Sequence, residues 1–482
     1  MSFLPIFHIL SILITPLSLA MLITSIVDYS YNNENWLNFL SSALITFFIG
    51  MSVYFATQEK KTQHLDLKQA FLLTTVAWIS IAIIGALPFY LSTMKLSLTD
   101  SFFESMSGIT TTGSTILINI ESSPPGILVW RALLQWLGGI GIIVMALAVL
   151  PMLSIGGMQL FKTESFETPE KVIPKAASLA GGIFFVYTFL TIIWSILLFL
   201  SGMSGFDAIL HSMTTIATGG YSTKTSSIGS FNSSTIDWII ILGMVVGSLP
   251  FIHYLAATRG SLMSLIKDFQ VRWFFVVLFA FIFIVFLLLV INSSYSWGNA
   301  IRYSAFNVTS ILTGTGYGTT DYGLWGGFAP TIFLLCMFIG GCAGSTTCGI
   351  RIFRFQVLIS NASAQINRLL RPHSIVLPHY NKKPLPESVT DSVMNFFFLY
   401  IFIFALIACI LGGMGLDFKT AISASATSIS NVGPGLGEII GPSGNFSSLP
   451  DAAKWLICIG MIVGRLEIFT VLVILTPNFW KH

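Results

Sequence analysis

Four segments of this chain end on the same kind of Thr/Gly loop, and each lies between two long apolar runs. They read SMSGITTTG (Ser105–Gly113), SMTTIATGG (Ser212–Gly220), VTSILTGTG (Val308–Gly316) and SATSISNVG (Ser425–Gly433). Aligned without gaps, all four place Gly last and a branched aliphatic residue four positions earlier: Ile109, Ile216, Leu312 and Ile429. One such loop could be a tight turn between helices. Four in register within one polypeptide predict a ring of backbone carbonyls around a shared axis, the arrangement of a cation filter.

The 482 residues are 54% hydrophobic and 9% charged, where a soluble domain carries about 25% charged residues. Such a chain belongs in a bilayer. A span needs about 20 apolar residues, and ten runs qualify: roughly 4–27, 36–57, 68–91, 126–153, 179–201, 236–257, 272–292, 328–358, 392–413 and 452–475. The run from Leu4 to Val27 lacks a basic leader and is too long for a secretory signal, so it reads as a retained span. Each Thr/Gly loop follows an apolar stretch too short to cross. These stretches are expected to be re-entrant pore helices, because non-helical backbone survives at membrane depth only when buried in protein or lining a wet cavity. The fold class expected is therefore an all-α polytopic membrane protein with four pseudo-symmetric span/pore-helix/span repeats around one pore, plus two N-terminal spans. The divisions fall at 1–62 (the two additional spans), 63–160, 161–262, 263–384 and 385–482.

Sixteen of the 23 Lys and Arg residues, among them Lys60, Lys61, Lys162, Arg259, Arg354, Arg371, Lys382 and Lys383, fall on the side opposite the loops. The positive-inside rule makes that side, and both termini, cytoplasmic. The basic connection at about 359–390 suits either anionic lipid headgroups or a docking partner. A net charge of +3 is too small to imply nucleic-acid binding, and five cysteines in or beside apolar runs do not form a disulfide framework. The chain contains no P-loop and no dinucleotide fingerprint, so nucleotide control would need another chain. His211 and His253 read as packed or hydrogen-bonded residues, and no nucleophile, base or metal cluster is assembled, so an enzyme is not expected.

Conduction needs ligands that replace hydration without trapping the ion. Backbone carbonyls do this, and the loop centres carry no Asp or Glu. The carbonyl rings are assigned to Thr111, Thr218, Gly314 and Asn431; to Thr112, Gly219, Thr315 and Val432; and to Gly113, Gly220, Gly316 and Gly433. Glycine permits the positive φ that turns a carbonyl inward. The short helices before the loops would aim their negative ends at the ion. The eighth run is interrupted by Gly340-Gly341-Cys-Ala-Gly344-Ser345-Thr346-Thr347-Cys-Gly349, at a cost of about 1 kcal/mol per helical Gly. This segment reads as a movable loop occluding the cavity, with small-residue helix packing as the alternative. Arg465, inside the tenth run, should face either the cavity, where it repels cations, or Glu467 as an ion pair.

Taken together, the repeats, the four loops, the 340–349 break and Arg465 resemble the Trk/Ktr/HKT superfamily of potassium transporters. The two extra N-terminal spans resemble its TrkH/TrkG branch. The resemblance covers essentially the whole chain. It implies potassium uptake across a bacterial inner membrane, potassium bound in the filter with no organic cofactor, and a homodimer in membrane lipid. It also implies a cytosolic TrkA-like nucleotide-binding ring, 340–349 as the intramembrane gate and Arg465 beneath the filter. It associates Gly at the end of the first loop with potassium preference and Ser there with sodium permeation. Secondary transport coupling potassium to protons or sodium is the competing expectation, with Glu104 and Glu467 as candidate carboxylates.

Overall fold

A computed structural model describes residues 3–58, 66–145, 169–258, 260–261, 263–292, 295–381 and 383–481. The expected division points at 62/63 and 160/161, and the basic residues Lys60, Lys61, Lys162, Arg259 and Lys382, lie at or within positions outside these. The described residues are helical or irregular apart from a short hairpin pairing His379–Tyr380 with Lys383–Pro384 and an isolated bridge between Ile339 and Ile350.

Seven described helices are long and apolar enough to cross a membrane. They are α1 (Leu4–Ser30), α2 (Trp36–Thr57), α3 (Leu67–Leu91), α5 (Pro125–Val144), α6 (Pro169–Leu200), α10 (Phe269–Ile291) and α14 (Glu387–Gly413). Between them run four shorter helices: α4 (Leu98–Ile109), α7 (Gly205–Ile216), α11 (Trp297–Leu312) and α15 (Phe418–Ser430). Three of their N-termini are set by polar caps. Ser97 Oγ accepts from Asp100 N, Ser204 Oγ from Asp207 N (3.0 Å each) and Asp417 from Thr420 N (3.1 Å), each satisfying an amide the first turn leaves free. Over their last two turns they are sheathed in protein, with Met213 alone half-buried. That makes room for polar sequence at membrane depth. Ser105 donates to Ala82 O and Ser425 to Phe404 O (2.7 Å each), tying α4 and α15 to the spans before them at equivalent positions.

Three of the ten expected spans are not single helices. The sixth divides into α8 (Ser234–Gly247) and α9 (Phe251–Ala257), bent by 95°, and the tenth into α16 (Asp451–Arg465) and α17 (Phe469–Leu475), bent by 114°. The eighth divides into α12 (Phe328–Phe338) and α13 (Ile352–Leu370) around the Gly-rich run. Pro250 contributes to the first bend, since it cannot donate to the carbonyl four residues back. The larger cause is the Gly-rich run itself. Its Thr346 N donates to Gly247 O (3.2 Å) and Cys342 N to Ser248 O (3.1 Å), while Gly344 O accepts from Phe251 N (3.0 Å). The groups freed by breaking one helix are thus satisfied by the break in another.

Candidate functional site: a four-loop ring and the Gly-rich break beneath it

Each of the four short helices ends in left-handed backbone at the same aligned position: Thr111 (φ 52°), Thr218 (49°), Gly314 (73°) and Asn431 (52°). In the first loop Thr111 N donates to Gly108 O (3.0 Å) and Thr112 N to Ser107 O (2.9 Å), the paired bonds of a Schellman cap. The second loop repeats this with Thr218 to Thr215 and Gly219 to Thr214, and the fourth with Asn431 to Ser428 and Val432 to Thr427. In the third loop the long bond comes from Gly316 N to Ser310 O (3.1 Å). Threonine in this conformation is rare because its branched Cβ crowds the backbone. The cap turns the chain sharply away from each helix end.

The four loops close into a ring. A Cβ placed on Gly113 would lie 2.2 Å from Gly219 O; on Gly220, 1.8 Å from Thr315 O; on Gly316, 2.9 Å from Gly433 N; and on Gly433, 3.1 Å from Gly113 O. Each loop therefore abuts the next and the fourth returns to the first. Gly113, Gly220, Gly316 and Gly433 together line one outer cavity. The ring is not fully fourfold: the first three of these glycines have φ of 80° to 86°, whereas Gly433 lies outside the positive-φ region, as expected for a residue preceding proline (Pro434). Of the twelve carbonyls assigned to the rings, two are occupied. Gly219 O accepts from Gln135 Nε2 (2.6 Å) and Gly433 O from Ser114 Oγ (2.8 Å). The rest accept no hydrogen bond from the described residues. So many orphaned buried carbonyls in one place are unusual, since protein interiors pair almost all such groups.

The walls hold contacts that sequence reasoning missed. Gly138, Gly247 and Gly464 seat α5, α8 and α16 against Ile109, Ile216 and Ile429 in the last turns of three of the short helices; an added Cβ would come within 1.9, 2.9 and 2.1 Å of their carbonyl oxygens. The recurrence of Gly 25 to 31 residues after three of the loops was the available signal. Arg131, which no motif marks, is fully buried. Its Nε pairs with Glu104 at 2.7 Å, it donates to Ser222 O and Thr115 Oγ1, and its guanidinium lies 4.0 Å from the Tyr221 ring centroid. At the outer rim, burial alone would raise the Glu121 carboxyl, but the Thr225 amide and hydroxyl and the charge of Lys224 hold it below its usual value.

Below the ring, Gly340, Gly341, Gly344, Ser345, Thr346 and Thr347 are buried and Gly349 completes the turn with φ 73°. Mutual bonds pin the ends of the segment together, Gly340 N to Ile350 O and Ile350 N to Phe338 O (2.9 Å each). Its centre reaches the second loop, where Thr346 Oγ1 bonds Thr218 Oγ1 (3.0 Å), and α8, where it bonds Gly247 O (2.9 Å).

Arg465 sits at the end of α16, where the helix breaks. Its expected alternative partner, Glu467, is taken: Glu467 pairs with Arg354 and lies 3.6 Å from Arg351. Arg465 instead donates to Gly138 O (2.8 Å), Thr346 O (3.4 Å) and the Cys348 sulfur, with no carboxylate in range among the described residues. The ion-pair alternative is overturned because the left-handed turn at Glu467 (φ 59°) carries it to the α13 arginines.

Four short helices whose loops close into one ring inside a polytopic helical protein are the architecture of a membrane transport protein; among the described residues no His/Cys/Asp/Glu group could hold a metal ion as a catalytic centre would. The chain belongs to the TrkH family of cation transport proteins, whose model matches residues 36–482, a family of transporters and not of enzymes. It is 44% identical over 415 residues to the Trk system potassium uptake protein TrkI of Halomonas elongata, covering 86% of this chain and 84% of that one. Two further relatives are covered in full, as is this chain: TrkH of Vibrio parahaemolyticus at 36% identity and TrkH of Escherichia coli at 35%. The crystal structure of the potassium transporter TrkH from Vibrio parahaemolyticus superposes with a TM-score of 0.92, covering 100% of both chains at 35% identity. The protein is accordingly a multi-pass inner-membrane protein with the fold of that transporter.

Proposed function

We propose that this chain is a gated, potassium-selective pore for uptake across the bacterial inner membrane. The observation that carries the reading is the ring formed by Thr111–Gly113, Thr218–Gly220, Gly314–Gly316 and Asn431–Gly433 at the C-terminal ends of four helices, whose carbonyls, Gly219 O and Gly433 O apart, accept no hydrogen bond from the described residues. Such carbonyls suit a dehydrated monovalent cation, and the helix ends add negative potential. The relatives' names supply potassium as the cargo. In this reading 340–349 is the gate, Arg465 a cation barrier beneath the filter, and both termini are cytoplasmic. The pore works as a homodimer in membrane lipid, controlled by a cytosolic TrkA-like nucleotide-binding ring. Coupled symport is less well supported, because Glu104 and Glu467 are each held by arginine and are poor proton carriers. Purified protein in liposomes under separate potassium, sodium and proton gradients tests the proposal. Potassium flux should follow its own electrochemical gradient; flux driven by a proton or sodium gradient against that of potassium would establish coupling instead.

A further inference from the structure

We infer that Gln135 is a positioning residue that decides which carbonyls of the second loop face the ion path; the inference rests on the filter reading above. Gln135 projects from α5 and is fully buried, and it does not line the outer cavity that Gly113, Gly220, Gly316 and Gly433 share. Its amide grips the loop on both sides of Gly220: Nε2 donates to Gly219 O at 2.6 Å, and Oε1 accepts from Tyr221 N at 3.0 Å. These two bonds fix two successive peptide planes. Because a trans peptide points its N–H and C=O in opposite directions, holding Tyr221 N–H toward the wall turns Gly220 C=O away from it, toward the axis. Holding Gly219 C=O toward Gln135 withdraws that carbonyl from the path. Gly220 O accepts no hydrogen bond among the described residues, as a carbonyl reserved for an ion would.

The fit is tight on every side. A Cβ on Gly219 would meet Gln135 Cδ at 2.4 Å, and the Gly219 oxygen sits where a Cβ on Gly113 would be, 2.2 Å away. Gln135 and the bare Gly113 thus hold one carbonyl between them. Among the described residues the Asn431 amide ties the first and fourth loops through Thr112 Oγ1 and Met461 O, but no side-chain amide bonds the backbone of the first, third or fourth loop as Gln135 bonds that of the second.

The test is the potassium-to-sodium permeability ratio, from reversal potentials of full-length protein in bilayers with potassium on one side and sodium on the other. Gln135→Met keeps the bulk and removes both bonds, and should lower the ratio about fivefold, the worth of roughly one net hydrogen bond, in protein that elutes and unfolds like the parent. Gln135→Glu, which sets a carboxylate against Gly219 O, should lower it at least as much. An unchanged ratio in folded Gln135→Met would overturn the inference. Should that variant fail to fold, Gly219→Ala, Gln135→Ala and their combination decide: relief of the Cβ clash should make the combined change smaller than the sum, and strict additivity would overturn the clamp. A parent protein with no potassium preference would sink the filter reading and the clamp with it, whereas preference in the parent with an indifferent Gln135→Met sinks only the clamp.

Discussion

Two arginines are buried on opposite sides of the ring, and they differ in what answers their charge. Arg131 meets a carboxylate, a carbonyl, a hydroxyl and an aromatic face, so its charge is neutralised where it stands and it braces the wall of the outer cavity. Arg465 meets two carbonyls, a thiol and, at 5.3 Å, the Trp78 ring; its Nε has no partner among the described residues, and no carboxylate among them is in range. A buried charge without a counter-charge is costly and projects its field into whatever space adjoins it. In the proposed function, the difference separates a residue that holds the fold from one whose charge a passing cation would feel.

The comparison can be broken at either end. Arg131→Met should strand Glu104 in the interior and destabilise the protein by about 3–5 kcal/mol, read as a lower unfolding midpoint in detergent. Adding Glu104→Gln should recover much of the loss, and a single variant as stable as the parent would deny Arg131 its bracing role. Arg465→Ala should raise potassium flux per folded molecule. Repulsion at about 5 Å with an effective dielectric near 20 is on the order of 3 kcal/mol, which caps the gain at roughly a hundredfold. If flux falls and folding fails together, Arg465 is a wall residue like Arg131.

A smaller effect concerns the Gly-rich segment that Arg465 touches. Thr346→Val removes the bonds to Thr218 and Gly247, worth about 1–2 kcal/mol together. Flux should rise with no change in ion preference; an altered preference would make the loop part of the filter. The smallest is Thr111→Gly, which relieves left-handed strain of about 1 kcal/mol. The unfolding midpoint should rise slightly, and a drop would mean that the side chain contributes more than its strain costs.

The four loops were legible because Thr and Gly stand out between apolar runs and recur in register, and the break at 340–349 because glycines interrupt an otherwise continuous span. Long-range pairing was not legible. Glu104 and Arg131 lie 27 residues apart and Arg354 and Glu467 lie 113 apart, so nothing local marks them as partners. Glu467 looked like the partner of Arg465 because it is two residues away, but the helix breaks between them. The bend at Ser248–Pro250 is caused by bonds from a segment about ninety residues later, which an apolar run cannot reveal. Nor does a shared terminal glycine disclose that Pro434 holds Gly433 in a different conformation from its three counterparts.

The account stands on the four loops acting as one filter, and Gly113 is where that is most exposed. Its φ of 86° and the Gly219 oxygen 2.2 Å from its would-be Cβ leave no room for a side chain. Gly113→Ser should therefore displace a carbonyl of the ring while the helices around it keep the fold. In bilayers with potassium on one side and sodium on the other, the parent should show a reversal potential favouring potassium, and Gly113→Ser should move it toward zero. An unchanged reversal potential in a folded variant would contradict the filter.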